Sequence, residues 1–147
     1  DWGYEHYGSI VVIGETKDAY YLIKEIAKQH EEIDYWVDRA KEIVKDYGSI
    51  IFYCDSARPE HVKRFKREGL WAVNADKSVV SGIEQVARLY KQDKLYIVDD
   101  TTRFKEEIFM YVWNEKTGEP IKLFDDVQDS IRYAIYSRIK GNNFKFG

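Results

Sequence analysis

Several acidic residues occupy positions that could form a catalytic or metal site. They lie in parts of the chain that are far apart in sequence. Asp55 directly follows residues 50–54, a continuous apolar segment, and α/β folds commonly place ligands at the carboxyl end of such a strand. Another set shares one face of a predicted helix through its three- and four-residue spacing: Asp126, Asp129, Tyr133 and Tyr136. Because hard divalent cations prefer carboxylate oxygens, Asp1, Asp55 and Asp129 together would suit a metal site.

These acids also have ordinary structural explanations, which the residues alone leave open. Asp55 or Ser56 can cap the helix that Pro59 begins. Acids in the first turn of the last helix interact favourably with the helix dipole, and Asp126 and Asp129 both qualify.

The histidines, Cys54 and Ser56 do not indicate a second catalytic or metal site. His6, His30 and His61 have neither paired spacing nor a second cysteine beside them, so a zinc site is not expected. His6 is close enough to Asp1 in the chain to reach an acidic site. Cys54 belongs to the apolar segment and is interpreted as a packing residue. A nucleophilic Ser56 would require a histidine base that the sequence does not place.

Length and composition favour one folded domain. The chain has 147 residues, of which 44% are hydrophobic and 33% charged, which excludes disordered and collagen-like classes. The net charge of −3 provides no strong positive field for nucleic acid. A single cysteine excludes an intrachain disulfide framework and predicts a reducing compartment. No apolar run approaches the length of a membrane span. Because the sequence starts without Met, we expect a fragment of a longer protein.

The hydrophobic periodicity predicts strands followed by alternating helices and strands. Residues 8–14 and 19–27 predict an antiparallel hairpin, and residues 31–47 predict a helix that stops at Gly48. The apolar run at 50–54 is typical of a strand buried on both faces. Pro59 begins a helix that ends near Glu68.

Further elements follow in alternation. Residues 70–75 and 95–98 predict strands, and residues 78–92 predict a helix with Ile83, Val86, Ala87 and Tyr90 inward. Another helix is marked by Phe104, Ile108, Tyr111 and Val112, and the last runs from 126 to 140 with Val127, Ile131, Ala134 and Ile135 as its apolar stripe. The predicted class is therefore α/β, with a mixed sheet flanked by helices.

Several short motifs follow one another along the chain, namely Asp-Ser-Ala-Arg-Pro-Glu at 55–60, Lys77, Gly-Ile at 82–83, Glu106 with Tyr-Val-Trp at 111–113, and Asp-Ser-Ile-Arg-Tyr-Ala at 129–134. This ordered series resembles the C-terminal nuclease domain of the phage terminase large subunit. The resemblance implies a single ribonuclease H-like domain over residues 1–147, with antiparallel strands first, parallel strands afterwards and a truncated first strand before Asp1.

The resemblance also implies an activity and its residues. It implies a metal-dependent endonuclease that cuts concatemeric double-stranded phage DNA by two-metal hydrolysis with Mg²⁺ or Mn²⁺. The family's catalytic acids correspond to Asp1, Asp55 and Asp129, which are expected to be both catalytic residues and metal ligands. Asp126 occupies a position where relatives often have His, and is predicted as a further ligand.

The resemblance further implies DNA contacts and partners. Lys77, Arg58 and Lys63 are the predicted DNA-binding residues, although the basic helix face around Lys63 is equally typical of a solvated surface. The expected partners are a terminase ATPase domain, the small terminase subunit and the portal protein, acting in the cytoplasm of the bacterial host and without a membrane. The chain contains no G-x-x-x-x-G-K-[ST] loop, so a motor would have to be a separate domain.

Two alternatives share the predicted fold. A ribonuclease H-like module could dock DNA or portal protein without cutting, and 12 Tyr and 4 Trp suit such an interface. A Holliday-junction resolvase of similar fold would prefer four-way junctions to linear duplex.

Overall fold

The elements alternate much as the periodicity predicts. The computed structural model describes residues 1–98, 103–104, 107, 113–114, 119–120 and 126–146. Within these ranges lie seven strands, namely β1 Gly8–Glu15, β2 Tyr20–Lys28, β3 Ile51–Cys54, β4 Trp71–Asn74, β5 Leu95–Ile97, β6 Trp113–Asn114 and β7 Glu119–Pro120. The helices are α1 Ile33–Tyr47, α2 Pro59–Arg67, α3 Val79–Lys91 and α4 Asp126–Phe146. None of the described helices is long and apolar enough to cross a bilayer.

The predicted hairpin is confirmed. β1 and β2 pair antiparallel from Gly8 opposite Lys28 to Glu15 opposite Tyr20, with an irregularity after Val12. Thr16 closes the turn, because its hydroxyl accepts a hydrogen bond from the Ala19 amide at 3.0 Å.

Parallel pairing makes the architecture α/β, as predicted. β5 pairs parallel with the outer edge of β2, giving the strand order β1-β2-β5. β3 and β4 form a second parallel pair, and β6 and β7 form a short antiparallel pair. The mixed sheet therefore begins with antiparallel strands and continues with parallel ones.

Two hydrophobic clusters lie on opposite faces of β1, because successive strand residues point to opposite sides of a sheet. Val12 belongs to the cluster built mainly by α1, α2 and β3, which contains Trp36 and Phe65. Val11 and Ile13 pack against the cluster built by α3, α4 and β5. The sheet thus lies between two helical layers, and α4 rests directly against it.

Burial differs from prediction in two elements. In β3, Phe52 and Cys54 are buried, whereas the alternate residues Ile51 and Tyr53 are only partly covered. In α3, Ala87 is exposed and Leu89 is buried. The predicted inward position of Ala87 is therefore wrong. The face that packs against the molecule is set by Gly82, Val86 and Leu89, spaced four and three residues apart.

The last two predicted helices have different outcomes. Phe104 is buried in a helical turn, but Ile108, Tyr111 and Val112 lie outside the described residues, as does Glu106. The last helix is confirmed and extends beyond 140 to Phe146. In its apolar stripe Val127, Ile131 and Ile135 are almost fully buried, while Ala134 is partly buried.

Candidate active site

Asp55 is held at the end of β3 by contacts to its side chain and its backbone. Its carboxylate accepts a hydrogen bond from the Ala57 amide at 2.9 Å and forms an ion pair with Lys77 Nζ at 2.6 Å. The Trp2 indole donates to its carbonyl at 2.7 Å. The capping explanation does not hold, because α2 takes Arg58 as its cap residue and, in the described part of the chain, no side chain caps it.

Two opposing effects set the charge of Asp55. Burial raises the pKa of this carboxyl, since charge is costly away from water. The hydrogen bond and charge of Lys77, with the Ala57 amide, favour the ionised form more strongly, so the pKa lies below its ordinary value. Asp55 is therefore a carboxylate at neutral pH although it is only 7% exposed.

Asp129 is buried on the first turns of α4 and pairs within the same helix. Arg132 Nη2 donates to Asp129 Oδ1 at 3.1 Å, and Arg132 Nη1 donates to the Ser78 carbonyl at 3.4 Å. Gly82 leaves space for this arginine, because a Cβ there would lie 2.8 Å from Arg132 Cγ. Close packing of α3 on α4 thus fixes the orientation of the pair.

Asp126 is half-buried one turn earlier and has a basic neighbour from another part of the chain. Arg103 Nη2 lies 3.7 Å from Asp126 Oδ2. Burial raises the pKa of Asp126 and the charge of Asp129 raises it further, whereas Arg103 opposes the shift. Asp126 therefore protonates at a higher pH than an exposed aspartate does.

The acids of β3 and α4 act on the same buried tyrosine. Burial raises the pKa of the Tyr133 hydroxyl, and the charges of Asp129 and Asp55 raise it further. Asp55 and Asp129 are therefore both within electrostatic range of the Tyr133 hydroxyl.

Asp1 is held against β1 and α4 through its backbone. Its nitrogen donates to the Ser9 carbonyl at 2.9 Å and to Ser130 Oγ at 3.1 Å, and the Ser9 amide donates back to the Asp1 carbonyl at 2.9 Å. This reciprocal exchange is an antiparallel pairing. Asp1 is thereby positioned between β1 and α4, which links it to the helix that carries Asp129.

The acids are neutralised by basic side chains. Within the described ranges, no group of three or more His, Cys, Asp or Glu side chains is arranged to hold a metal ion. Instead, Asp55 pairs with Lys77, Asp129 with Arg132 and Asp126 with Arg103. The chemistry of these side chains nevertheless suits Mg²⁺ or Mn²⁺, since carboxylate oxygens are the ligands that hard divalent cations prefer.

The predicted DNA-binding residues occupy different settings. Lys77 is bound to Asp55, and its side chain is 37% exposed. Arg58 is exposed, pairs with Glu60 at 3.6 Å, and lines an open cleft that also contains His6, Asp126 and Asp129. Lys63 is exposed on α2.

The remaining reactive residues have packing contacts. Cys54 is buried, and burial raises the pKa of its thiol to about 11, as expected of a packing residue. The His61 ring contacts Trp2 edge to face at 5.1 Å, and the His30 ring contacts Tyr4 in the same way at 5.4 Å.

Sequence reasoning missed Glu107 and Arg103. Glu107 is fully buried and accepts hydrogen bonds from the Val127 and Gln128 amides at the start of α4. Burial raises the pKa of Glu107 to about 7, although these amides and Arg103 favour its charged form. The four-residue spacing of Arg103 and Glu107 was a signal for an ion pair, but it could not indicate the distant helix that Glu107 contacts.

A known family matches most of the chain. The model of the terminase RNaseH-like domain matches residues 4–138. No curated protein matches by sequence.

Solved structures share the fold at low sequence identity. The large terminase of a thermophilic bacteriophage in complex with ATP-γ-S is 19% identical with a TM-score of 0.83, covering 93% of this chain and 38% of that one. The P22 large terminase nuclease domain is 22% identical with a TM-score of 0.77, covering 95% and 78%. The nuclease domain of the large terminase from bacteriophage SPP1, with bound Mn, is 21% identical with a TM-score of 0.69, covering 91% and 81%. The chain thus spans about two fifths of the length of the first of these proteins.

Proposed function

This chain belongs to the terminase RNaseH-like domain family, and from that premise we propose that it is a metal-dependent endonuclease domain of a phage large terminase. Its reaction would be the hydrolysis of phosphodiester bonds in concatemeric double-stranded DNA, with little sequence specificity. The observation that carries the proposal is that Asp55, at the end of β3, and Asp129, on α4, are both buried and both within electrostatic range of the Tyr133 hydroxyl.

Asp1, Asp55 and Asp129 are the proposed metal-holding and catalytic residues, with Asp126 as a fourth ligand. When bound, two Mg²⁺ or Mn²⁺ ions would activate water as the nucleophile and stabilise the leaving 3′ oxygen. Asp55 is suited to this role because it is already ionised, and Trp2 fixes its backbone. The Mn bound by the SPP1 domain supports this assignment by analogy of fold.

Lys77 is proposed to exchange partners during binding. It neutralises Asp55 at 2.6 Å, and its exposure leaves room for the ammonium group to turn away. Once a cation replaces it beside Asp55, Lys77 would be available to a DNA phosphate, together with Arg58 and Lys63. Arg58 supports this path because it borders the cleft that reaches Asp126 and Asp129.

The whole assembly is also a proposal. An ATPase domain of the large terminase would move the DNA, while the small subunit and the portal protein would position it in the host cytoplasm. With a net charge of −3, the domain by itself lacks the field to hold a polyanion tightly. Residues 1–147 would then act as the cutting domain on DNA delivered by these partners.

Cleavage of supercoiled plasmid tests the proposal. We expect the protein to nick and linearise plasmid in Mn²⁺, and EDTA to stop it. Asp55→Asn and Asp129→Asn should each lower the rate by more than about 100-fold, since losing a ligand should exceed the loss from a supporting residue. Asp38→Asn, a change at an exposed acid of α1, is the matched control and should cut normally. Equal cutting by all four proteins, or cutting in EDTA, would indicate contamination and remove the support.

A non-catalytic docking module is the second candidate, and one observation favours it. Asp55, Asp126 and Asp129 already have basic partners, so these three acids do not require a metal ion for neutralisation. Titration calorimetry with Mn²⁺ separates the candidates. A nuclease should give a binding heat that Asp55→Asn removes, whereas a docking module should give none.

A further inference from the structure

We propose that Glu107 is a positioning residue for the acidic site, meaning Asp126 and Asp129 at the start of α4. Glu107 connects this first turn of α4 to the sheet through Arg103 and Glu25. The inference rests on the proposed function, since it concerns the helix turn that presents Asp126 and Asp129. Neither Glu107 nor Glu25 is among the proposed ligands, and both act through other groups.

Glu107 satisfies the beginning of α4 from outside that helix. Its Oε1 accepts the Val127 amide at 2.9 Å and the Gln128 amide at 3.0 Å, and its Oε2 lies 3.1 Å from the Val127 nitrogen. The first amides of a helix have no partner within it, and a carboxylate there also interacts with the positive end of the helix dipole. Glu107 therefore stabilises the turn that contains Asp126 and Asp129.

Arg103 connects Glu107 to the acidic site. Its Nε donates to Glu107 Oε2 at 3.0 Å, and its Nη2 lies 3.7 Å from Asp126 Oδ2. The guanidinium lies 4.0 Å from the centre of the Tyr7 ring, which restricts its orientation. The Arg103 side chain is 13% exposed and that of Glu107 is fully buried. One arginine is thus shared between the buried carboxylate and Asp126, and it sets the position of one relative to the other.

Glu25 anchors this assembly on β2. Its two carboxylate oxygens accept the backbone amides of Arg103 at 2.5 Å and of Phe104 at 2.8 Å. The contacts run from Glu25 on β2 through Arg103, Phe104 and Glu107 to the start of α4. A displacement of Glu107 would consequently move Asp126 and Asp129, which α4 carries. It would not move Asp55, which β3 positions.

The first experiment examines the cap itself, without metal. Glu107→Gln keeps the size of the side chain but loses its charge and one strong acceptor. Amide hydrogen exchange followed by NMR should show Val127 and Gln128 exchanging about tenfold faster, equivalent to about 1.4 kcal/mol. Unchanged exchange rates at both amides would show that Glu107 does not cap α4. This readout does not depend on whether the protein is a nuclease.

The second experiment measures Mn²⁺ binding by calorimetry. Glu107→Gln should raise the Mn²⁺ concentration for half-saturation about tenfold, as loss of a residue that orients a ligand commonly does. The matched control is Glu15→Gln, because Glu15 also holds α4, through Arg138 at 3.2 Å, but away from the acids. A general loosening of α4 would shift both variants equally and would overturn the positioning role.

The outcomes separate the inference from the proposed function. If the unchanged protein gives no Mn²⁺ heat, the proposed function fails while the exchange result still decides the cap. If it binds Mn²⁺ and Glu107→Gln binds equally well, the positioning role fails and the proposed function stands. Should Glu107→Gln not fold, Glu25→Gln carries the same tests, and it should weaken Mn²⁺ binding without touching α4 directly.

Discussion

At the residue scale, Asp55, Asp126 and Asp129 differ in how deeply the side chains of their basic partners are buried. The Arg132 and Arg103 side chains are 4% and 13% exposed, whereas that of Lys77 is 37% exposed. A lysine ammonium on a flexible stem also changes partners more readily than a planar guanidinium with several fixed bonds. Asp55 is therefore the acid whose neutralising partner is best able to leave.

Lys77→Met should destabilise the metal-free protein and increase its response to metal. Removing the cation leaves the buried Asp55 carboxylate without its ion pair, which costs about 1–3 kcal/mol. Thermal unfolding should therefore occur at a lower temperature without metal, and Mn²⁺ should restore more stability than it adds to the unchanged protein. Lys63→Met, an exposed change on α2, is the control. Equal Mn²⁺ gains in all three proteins would contradict the exchange of partners.

Asp76 should make folding depend on pH in a narrow acidic range. Its carboxylate accepts from Lys140 Nζ at 2.7 Å and from the Ser78 amide at 2.9 Å, and these bonds hold the pKa of Asp76 at about 2. The folded pKa lies below the unfolded one, so the stabilisation is present above pH 3.8 and is lost as the pH falls through about 2.

Urea unfolding from pH 5 to pH 2 measures this contribution of Asp76. Asp76→Asn should reduce stability by about 1 kcal/mol at pH 5 and by less at pH 2. A constant difference between the two proteins across the range would show that the charge of Asp76 is not responsible.

At the element scale, close approach fixes where β1 lies against α1. A Cβ at Gly8 would lie 2.5 Å from Cζ2 of the buried Trp36 ring, and a rigid ring cannot withdraw as a flexible chain can. Gly8→Ala should therefore cost about 1–3 kcal/mol through overpacking.

Gly141→Ala is the matched change and should have the opposite sign. Gly141 lies inside α4 with nothing within 4 Å of the added methyl, so the higher helix propensity of Ala should stabilise by up to about 1 kcal/mol. Chemical denaturation of both variants checks the pair. Two changes of the same sign would show that steric room does not decide the effect.

At the scale of the whole molecule, net charge determines how strongly the isolated protein binds DNA. With 23 basic and 26 acidic residues, the isolated protein should bind random duplex DNA only weakly, with half-saturation above about 1 μM at physiological salt. Fluorescence anisotropy at low and physiological salt measures this, with calcium in place of manganese to prevent cutting. Nanomolar binding would instead indicate a concentrated basic surface and a domain that captures DNA by itself.

The sequence by itself determined the elements and the family. The hairpin, α1, α2 and α4 follow from local periodicity and from turn residues such as Pro59, because those preferences act between neighbours in the chain. Asp55 and Asp129 were candidate ligands from the sequence, since one ends an apolar strand and the other shares a helix face with Asp126, and their role stays a prediction. Ala87 was misplaced because periodicity fixes a helix face only to within a residue or so.

The tertiary structure alone decided which side chains meet. Lys77 beside Asp55, Arg103 between Glu107 and Asp126, and Gly82 beneath Arg132 all join residues from different elements. The type of each residue sets its charge and hydrogen-bond capacity. Which partner satisfies a buried polar group depends on how the sheet and helices pack. For that reason Lys77 and Arg103 could not be predicted as partners of Asp55 and Asp126, whereas the pair of Asp129 and Arg132 lies within one helix at a spacing that the chain itself displays.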